Sequence, residues 1–246
     1  MDRMLYVAMS GAKETLIAQA NASNNLANAN TTGFLQDLNQ FRSMPVSGAG
    51  QPTRVGAMDE RPTTDFAPGA VQHTGRDLDV AIQDGGWLAV QARDGSEAYS
   101  RRGDLRVDES GLLVTGNNLP VMGNGGPIAI PPFEKIEIGT DGSVSIRPLG
   151  AATEQLAVID RIKLVAAQYG QMEKGEDGLF RLQGGGEAEA DANQRVASGA
   201  LLSSNVNVVN EMVDMIELSR RFELQVKMMQ TAKEDAEKAA SVMRPV

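Results

Sequence analysis

The sequence contains no cysteine and a single histidine, His73. The first absence removes disulfide frameworks, thiolate nucleophiles and cysteine-ligated metals, and the second removes the histidine clusters that hold zinc. Aromatic residues are 4% of the 246, against 26 glycines. Large packing side chains are therefore scarce for this length, which points to stability drawn in part from neighbouring molecules. Positive charge is short as well: 23 Lys plus Arg stand against 32 Asp plus Glu, a net −9 that disfavours nucleic acid or an anionic membrane as partner. No window approaches the ~18 consecutive apolar residues of a membrane span. The opening Met1-Asp2-Arg3-Met4-Leu5-Tyr6 lacks the basic and apolar regions of a secretory signal, so no cleaved leader is expected.

Motifs for chemistry are equally thin. His73, with Asp77 and Asp79 nearby, could be oriented as a base, but no G-x-S-x-G elbow supplies a nucleophile. Asp141-Gly142 and Asp177-Gly178 lack the spacing of a calcium loop and read as turns. Gly184-Gly185-Gly186 has no following Lys-Ser or Lys-Thr and reads as a flexible tip. Neither a catalytic residue nor a metal or cofactor site is expected, and the chain is not read as an enzyme.

What is present divides by position. Twenty-five of the 26 glycines lie between residues 31 and 204, and nine of the ten prolines between 45 and 148. Residues 205–244 contain neither, and Met215, Leu218, Phe222, Met229, Ala232, Ala236, Ala239 and Met243 recur at four-three spacing, broken only at Gln225. That predicts one helix of about 39 residues, roughly 58 Å long. Near the N-terminus Leu5, Met9, Ala12, Leu16, Ser23 and Leu26 define a weaker seam over residues 1–30, softened at Gln19 and Ser23. The two helices could form a hairpin within one chain. Val209, Val213 and Ile216, with Val206 and Val208, add a second apolar face to the long helix, and that face calls for other subunits.

Between the helices, short alternating runs such as Leu78-Val80-Ile82 and Trp87 to Val90 are separated by Gly-rich turns and read as strands. The expected fold is α+β: a discontinuous terminal helical, coiled-coil-like domain (1–34 and 205–246), an extended connector with at most a short hairpin (35–69), and an inserted, mainly β outer domain (70–204).

Asn21, Asn24, Asn25, Asn28 and Asn30 crowd ten residues of the first helix. Asparagine is a poor helix former, so these amides are expected to find partners, between helices or between subunits. Thr31-Thr32-Gly33-Phe34 is expected to end the helix, with Gly33 left-handed and Phe34 folding back onto the last turn.

The run Ala22-Ser23-Asn24-Asn25-Leu26-Ala27-Asn28-Ala29-Asn30-Thr31-Thr32-Gly33-Phe34 resembles the N-terminal signature of bacterial flagellar rod and hook proteins. Thr74-Gly75-Arg76-Asp77-Leu78-Asp79-Val80-Ala81-Ile82 and Tyr99 to Leu105 resemble the middle motifs of that family. Gly199-Ala200-Leu201, Ser204-Asn205-Val206-Asn207 and the stretch from Met215 to Glu223 resemble its C-terminal signature. The chain departs from the family pattern at Leu35, at Leu202 and over Asp84-Gly85-Gly86-Trp87-Leu88, and the opening residues look most like the proximal-rod branch. The resemblance implies a structural subunit exported by the flagellar type III apparatus without a cleaved signal. It implies assembly with copies of itself and other rod proteins into a hollow rod crossing the periplasm. The expected assembly interface is Asn24, Asn25, Leu26, Asn28, Thr31, Gly33 and Phe34, with Ser204, Asn205, Val206, Met215, Leu218, Phe222 and Met229. The rivals are a distal-rod or hook sibling, or a soluble β-domain binding protein for a glycan, with Trp87 and Tyr99 as its ring candidates.

Overall fold

The computed structural model describes residues 3–45, 55–150 and 156–242. It is an α+β protein of two helices and several small antiparallel sheets, and it divides into two compact units, one of Met1–Ala29, Gln36–Asp65 and Val206–Val246, the other of Asn30–Leu35 and Phe66–Asn205.

In the first unit, α1 (Arg3–Ala27) and α2 (Val208–Val242) pack side by side. Gly11 lies against Gln225, Ala18 and Ala22 against Leu218 and Met215, and Asn25 against Glu211. Numbers rise along one helix as they fall along the other, so the pair is antiparallel. The start of α2 is set by Asn207, whose Oδ1 accepts from the N–H groups of Val209 (3.0 Å) and Asn210 (3.2 Å) and so satisfies two of the orphan donors of the first turn. With neither Gly nor Pro inside it, α2 runs 35 residues, about 52 Å. Leu218 and Ala232 are buried, and Met215, Phe222, Gln225 and Met229 are half-buried on the same row. Met243 and the side chain of Ala239 lie outside the described residues.

The seam on α1 is not the expected one. Of the expected seam Ala12 is buried and Leu5 and Leu26 are half-buried, but Met9, Leu16 and Ser23 are exposed, while Ala8, Thr15, Ala18, Ala22 and Asn25 are buried and Gly11 is half-buried. Those six occupy a four-three row about a quarter turn away from the expected seam. Small side chains let the helix axes approach closely: a Cβ on Gly11 would stand 2.7 Å from Gln225 Nε2. The larger Leu and Met side chains could not occupy that line without forcing the helices apart.

Two strands complete this unit, β1 (Asp37–Pro45) and β2 (Val55–Thr64), paired antiparallel from Asp37↔Thr64 to Pro45↔Val55. Residues 35–69 thus hold paired strands of 9 and 10 residues where an extended connector with at most a short hairpin was expected. The prolines do not prevent it. Pro45 ends β1, and Pro62 sits where the register slips between Leu38 and Gln40, in a two-stranded ribbon whose strands each keep an open edge.

The second unit is built from β3 (Val71–His73), β4 (Val80–Ile82), β5 (Trp87–Gln91), β6 (Glu97–Ser100), β7 (Leu105–Val107), β8 (Leu113–Thr115), β9 (Phe133–Ile138), β10 (Ser143–Pro148), β11 (Ala157–Arg161), β12 (Leu164–Val165), β13 (Met172–Lys174), β14 (Phe180–Leu182), β15 (Val196–Ser198) and β16 (Ala200–Leu202). Its largest sheet runs β12-β5-β6-β14-β13, a second runs β11-β10-β9, and β15-β4, β16-β3 and β7-β8 form two-stranded ribbons. Aliphatic side chains including Val80, Leu88, Leu105, Leu113, Val121, Ile128, Ile146 and Ile162 form the main core. A smaller core gathers Leu35, Trp87, Tyr99, Met172 and Phe180. Residues 30–34, expected with the terminal helix, group with this unit.

Candidate assembly surface

The Asn-rich end of α1 carries a buried polar cluster. Asn25, 2% exposed, donates from Nδ2 to the carbonyl of Asp37 (2.9 Å) and to Glu211 Oε1 (3.2 Å), and its Oδ1 accepts from the Asp37 N–H (3.0 Å). Gln36 Nε2 donates to the same Glu211 oxygen at 2.5 Å. Glu211 is 3% exposed, and burial pushes its carboxyl pKa up, an effect opposed by the Asn25 and Gln36 hydrogen bonds and reinforced by Asp214. One amide therefore ties together three stretches far apart in sequence: the last turns of α1, the entry to β1 and the first turn of α2. Of these bonds the one to Glu211 joins the two helices, one of the two partner types expected for the asparagines, and the pair to Asp37 runs to the start of β1 instead. The others differ. Asn21 Nδ2 donates to Asn39 Oδ1 at 2.6 Å, and Asn28 Nδ2 returns to the carbonyl of Asn24 at 2.9 Å, a local bond at the helix end beside exposed Asn24. Leu26 is half-buried.

Thr31 to Phe34 do something other than cap α1. The helix ends at Ala27, and Gly33 lies in a separate turn, with φ +66° and its N–H bonded to the Leu202 carbonyl at 2.8 Å. A Cβ there would collide with the Arg101 carbonyl oxygen, so both the left-handed backbone and the close approach select glycine. Thr31 supplies the carbonyl that the Phe34 N–H uses, at 3.3 Å. Phe34 takes the Lys174 ammonium over its ring at 4.3 Å, where a contact back onto the last helical turn was expected, and Lys174 also donates to the Leu35 carbonyl at 3.0 Å. Asn205 donates its backbone N–H to Phe34 O (3.3 Å) and its Nδ2 to Ala67 O (3.0 Å), and Ser204 O accepts from Ser203 Oγ (3.1 Å). Half-buried Val206 closes this stretch. Leu35 and Leu202, where the chain departs from the family pattern, are both buried apolar positions.

Met215, Leu218, Phe222 and Met229 thus face α1, and a different set of apolar side chains faces outward. Val208, Val209, Met212, Val213 and Ile216 are all exposed within nine residues, Val209 reaching 68%, and Leu224 and Met228 follow further along. Tyr6, Met9 and Leu16 are exposed on α1. Such a concentration on one helix exceeds the scattered apolar exposure ordinary on a protein surface.

Glu211, Gln36 and Asp37 were not anticipated. Glu211 could have been: stepping back four residues along the row from Met215 lands on it. Trp87 and Tyr99 are both fully buried, Tyr99 with its hydroxyl pKa pushed up by burial, so neither is placed to stack on a sugar. Arg101, also buried, lies 4.6 Å over the Trp87 ring and donates to the Phe66 (2.9 Å) and Gly85 (3.1 Å) carbonyls.

Three family models match in chain order: "Flagella basal body rod protein" over residues 5–34, "Flagellar hook protein FlgE/F/G D1 domain" over 81–146, and "Flagellar basal body rod FlgEFG protein C-terminal" over 197–242. The class is thus that of the rod and hook proteins of the flagellum, and the first and last matches contain the helices that meet at Asn25 and Glu211. Among curated relatives, the flagellar basal-body rod protein FlgF of Escherichia coli strain K12 is 43% identical over 99% of both chains. FlgF of Salmonella typhimurium is 41% identical over 99% of both, and FlgG of Bacillus subtilis is 30% identical over 99% of this chain and 100% of its own. The chain belongs to the family of flagellar basal-body rod proteins, structural components of the bacterial flagellum's basal body, and it is most like FlgF.

Proposed function

We propose that this chain is a proximal-rod subunit that polymerises through α1 and α2 into the hollow shaft crossing the periplasm, with the β-rich part of the chain inserted between the helices as an outer domain. It would reach that site through the flagellar type III export apparatus and pack against its own copies and other rod proteins. The observation that carries this reading is the row Val208, Val209, Met212, Val213 and Ile216, exposed on a helix whose opposite face already holds α1. Leaving several such side chains in water forgoes about 1.5–3 kcal/mol for each one fully buried. In this reading the family's motif residues divide in two. Asn25, Gly33, Phe34 and Asn205 shape the subunit internally, and the outward apolar row, with Asn24 and Asn28 at the end of α1, meets neighbours. Replacing Ile216 by Asp tests this directly, because a charge at a desolvated contact costs several kcal/mol. The variant should keep its β-rich unit and be lost from isolated basal bodies and from motility. Normal incorporation and swimming would refute the reading.

A further inference from the structure

The outward row carries an oxidisable group. Without cysteine, the only sulfur in this chain is methionine thioether, and eight of the twelve methionines fall in residues 1–34 and 205–246, at Met1, Met4, Met9, Met212, Met215, Met228, Met229 and Met243. Their environments differ sharply. Met9 (54%), Met212 (50%) and Met228 (41%) are exposed on the helices, whereas Met172, in the smaller core of the β-rich unit, is 5% exposed. Met212 sits among Val208, Val209, Val213 and Ile216, at the centre of the most concentrated exposed apolar patch on α2.

We infer that oxidation of the exposed thioethers of Met9, Met212 and Met228 governs whether the subunit can assemble. The inference rests on the assembly reading above. The reactant is hydrogen peroxide or a kindred peroxide. Its O–O bond breaks, one oxygen is transferred to the thioether sulfur, the sulfur gives up two electrons, and the remaining oxygen leaves as water. The side chain becomes a sulfoxide, polar and chiral in place of a flexible apolar one. On an open helix face that change is almost free, because water solvates the new S–O dipole. Inside an apolar contact the same dipole must find a donor or be desolvated unpaired. The modification therefore leaves the subunit folded and makes it a poor building block. Once the helices are covered by neighbours, peroxide no longer reaches these sulfurs. The vulnerable interval is the one before incorporation, and a methionine sulfoxide reductase drawing on a dithiol would reverse the damage within it.

The test has two arms. Purified full-length chain is treated with hydrogen peroxide and its methionines are mapped by peptide mass spectrometry over time. Met9, Met212 and Met228 should oxidise at least about tenfold faster than Met172, with no loss of amide protection in the β-rich unit. Equal rates would overturn the inference. In cells, the combined variant Met9→Leu, Met212→Leu, Met228→Leu should enter basal bodies as the unsubstituted chain does, while Met9→Gln, Met212→Gln, Met228→Gln, which supplies a polar side chain of similar length, should fall to about a tenth or less. Full incorporation of the Gln variant, or exclusion of both, overturns the inference. Ile216→Asp separates the two claims: if it is excluded while the Gln variant assembles, only the oxidation inference fails, and if it assembles normally the assembly reading fails and takes the inference with it.

Discussion

Replacing Asn25 by Leu keeps the size of the side chain and deletes every hydrogen bond it makes. Three partners lose a bond: the N–H and C=O of Asp37, and Glu211 Oε1, which would keep only Gln36. An unsatisfied buried group costs about 1–3 kcal/mol, and the lower end applies to half-buried Asp37, which water can reach. Glu211, at 3% exposure, belongs nearer the upper end. The loss is then about 3–5 kcal/mol, against which Leu recovers about 1–2 kcal/mol through better helix propensity and apolar burial. A net loss of about 2–3 kcal/mol raises local opening some 30- to 150-fold. The assay is native-state amide hydrogen exchange on the full chain, followed in residues 18–27 and 208–218. Asn24→Leu is the paired control, since Asn24 is exposed and its side chain accepts only a long 3.5 Å bond from Asn28 Nδ2, which bonds the Asn24 backbone carbonyl at 2.9 Å. Exchange in Asn25→Leu that rises less than about threefold, or no more than in Asn24→Leu, would refute the account of Asn25 as the tie between α1, β1 and α2.

Other outcomes follow from the same geometry. Gly33→Ala should lower the thermal midpoint of the β-rich unit, because a left-handed residue must give up glycine and its Cβ meets the Arg101 carbonyl, together about 2 kcal/mol or more. Gly11→Ala should be neutral or mildly stabilising, because the atom it meets is the flexible end of Gln225 and helix propensity favours Ala by ~1 kcal/mol, whereas Gly11→Leu should separate the helices and lose their amide protection. For pH, the folded-state pKa of Glu211 lies above its unfolded value, so its contribution is fully present below the unfolded pKa and is lost as pH rises through the folded one. Glu211→Gln should therefore gain on the unsubstituted chain as pH rises above the ordinary glutamate pKa of about 4.3 in denaturant melts of the helical unit, and a difference that shrinks as pH rises from there would contradict the assignment.

How much of this could be read beforehand depended on side-chain size. The α2 row announced itself because Met, Leu and Phe recur at four-three spacing without a single Gly or Pro. On α1 the same search fastened on Leu5, Met9 and Leu16 and missed the row that touches α2, since Ala8, Gly11, Thr15, Ala18 and Ala22 carry almost no hydrophobic signal one by one. Close helix packing selects residues for being small, and smallness is invisible to a scale of apolarity. The hairpin of residues 37–64 was obscured by its prolines and by polar strands such as Asp59-Glu60-Arg61, whose pairing depends on what lies across from them. Asn25 could be suspected as a buried amide, yet its partner could not be named, because Glu211 looks like any acid in the first turn of a helix until its row is traced. Gly33 was rightly expected to be left-handed, but the reason given, a helix cap, was wrong: the constraint comes from Arg101, 68 positions away, which local sequence cannot reveal.

The antiparallel register leaves the two helices unequal. With Gly11 level with Gln225 and Asn25 with Glu211, Arg3 falls opposite Lys233, so the stretch of α2 from Glu234 to Val242 runs on past the described start of α1 by nine residues, about 13 Å. Among the described residues Ala232 is the last buried member of the row, and Ala236, one turn further and on the same line, is exposed. Over the described residues the pair therefore has two unlike ends, one where α1 and α2 are tied together at Asn25 and Glu211 and one where α2 continues beyond the described α1.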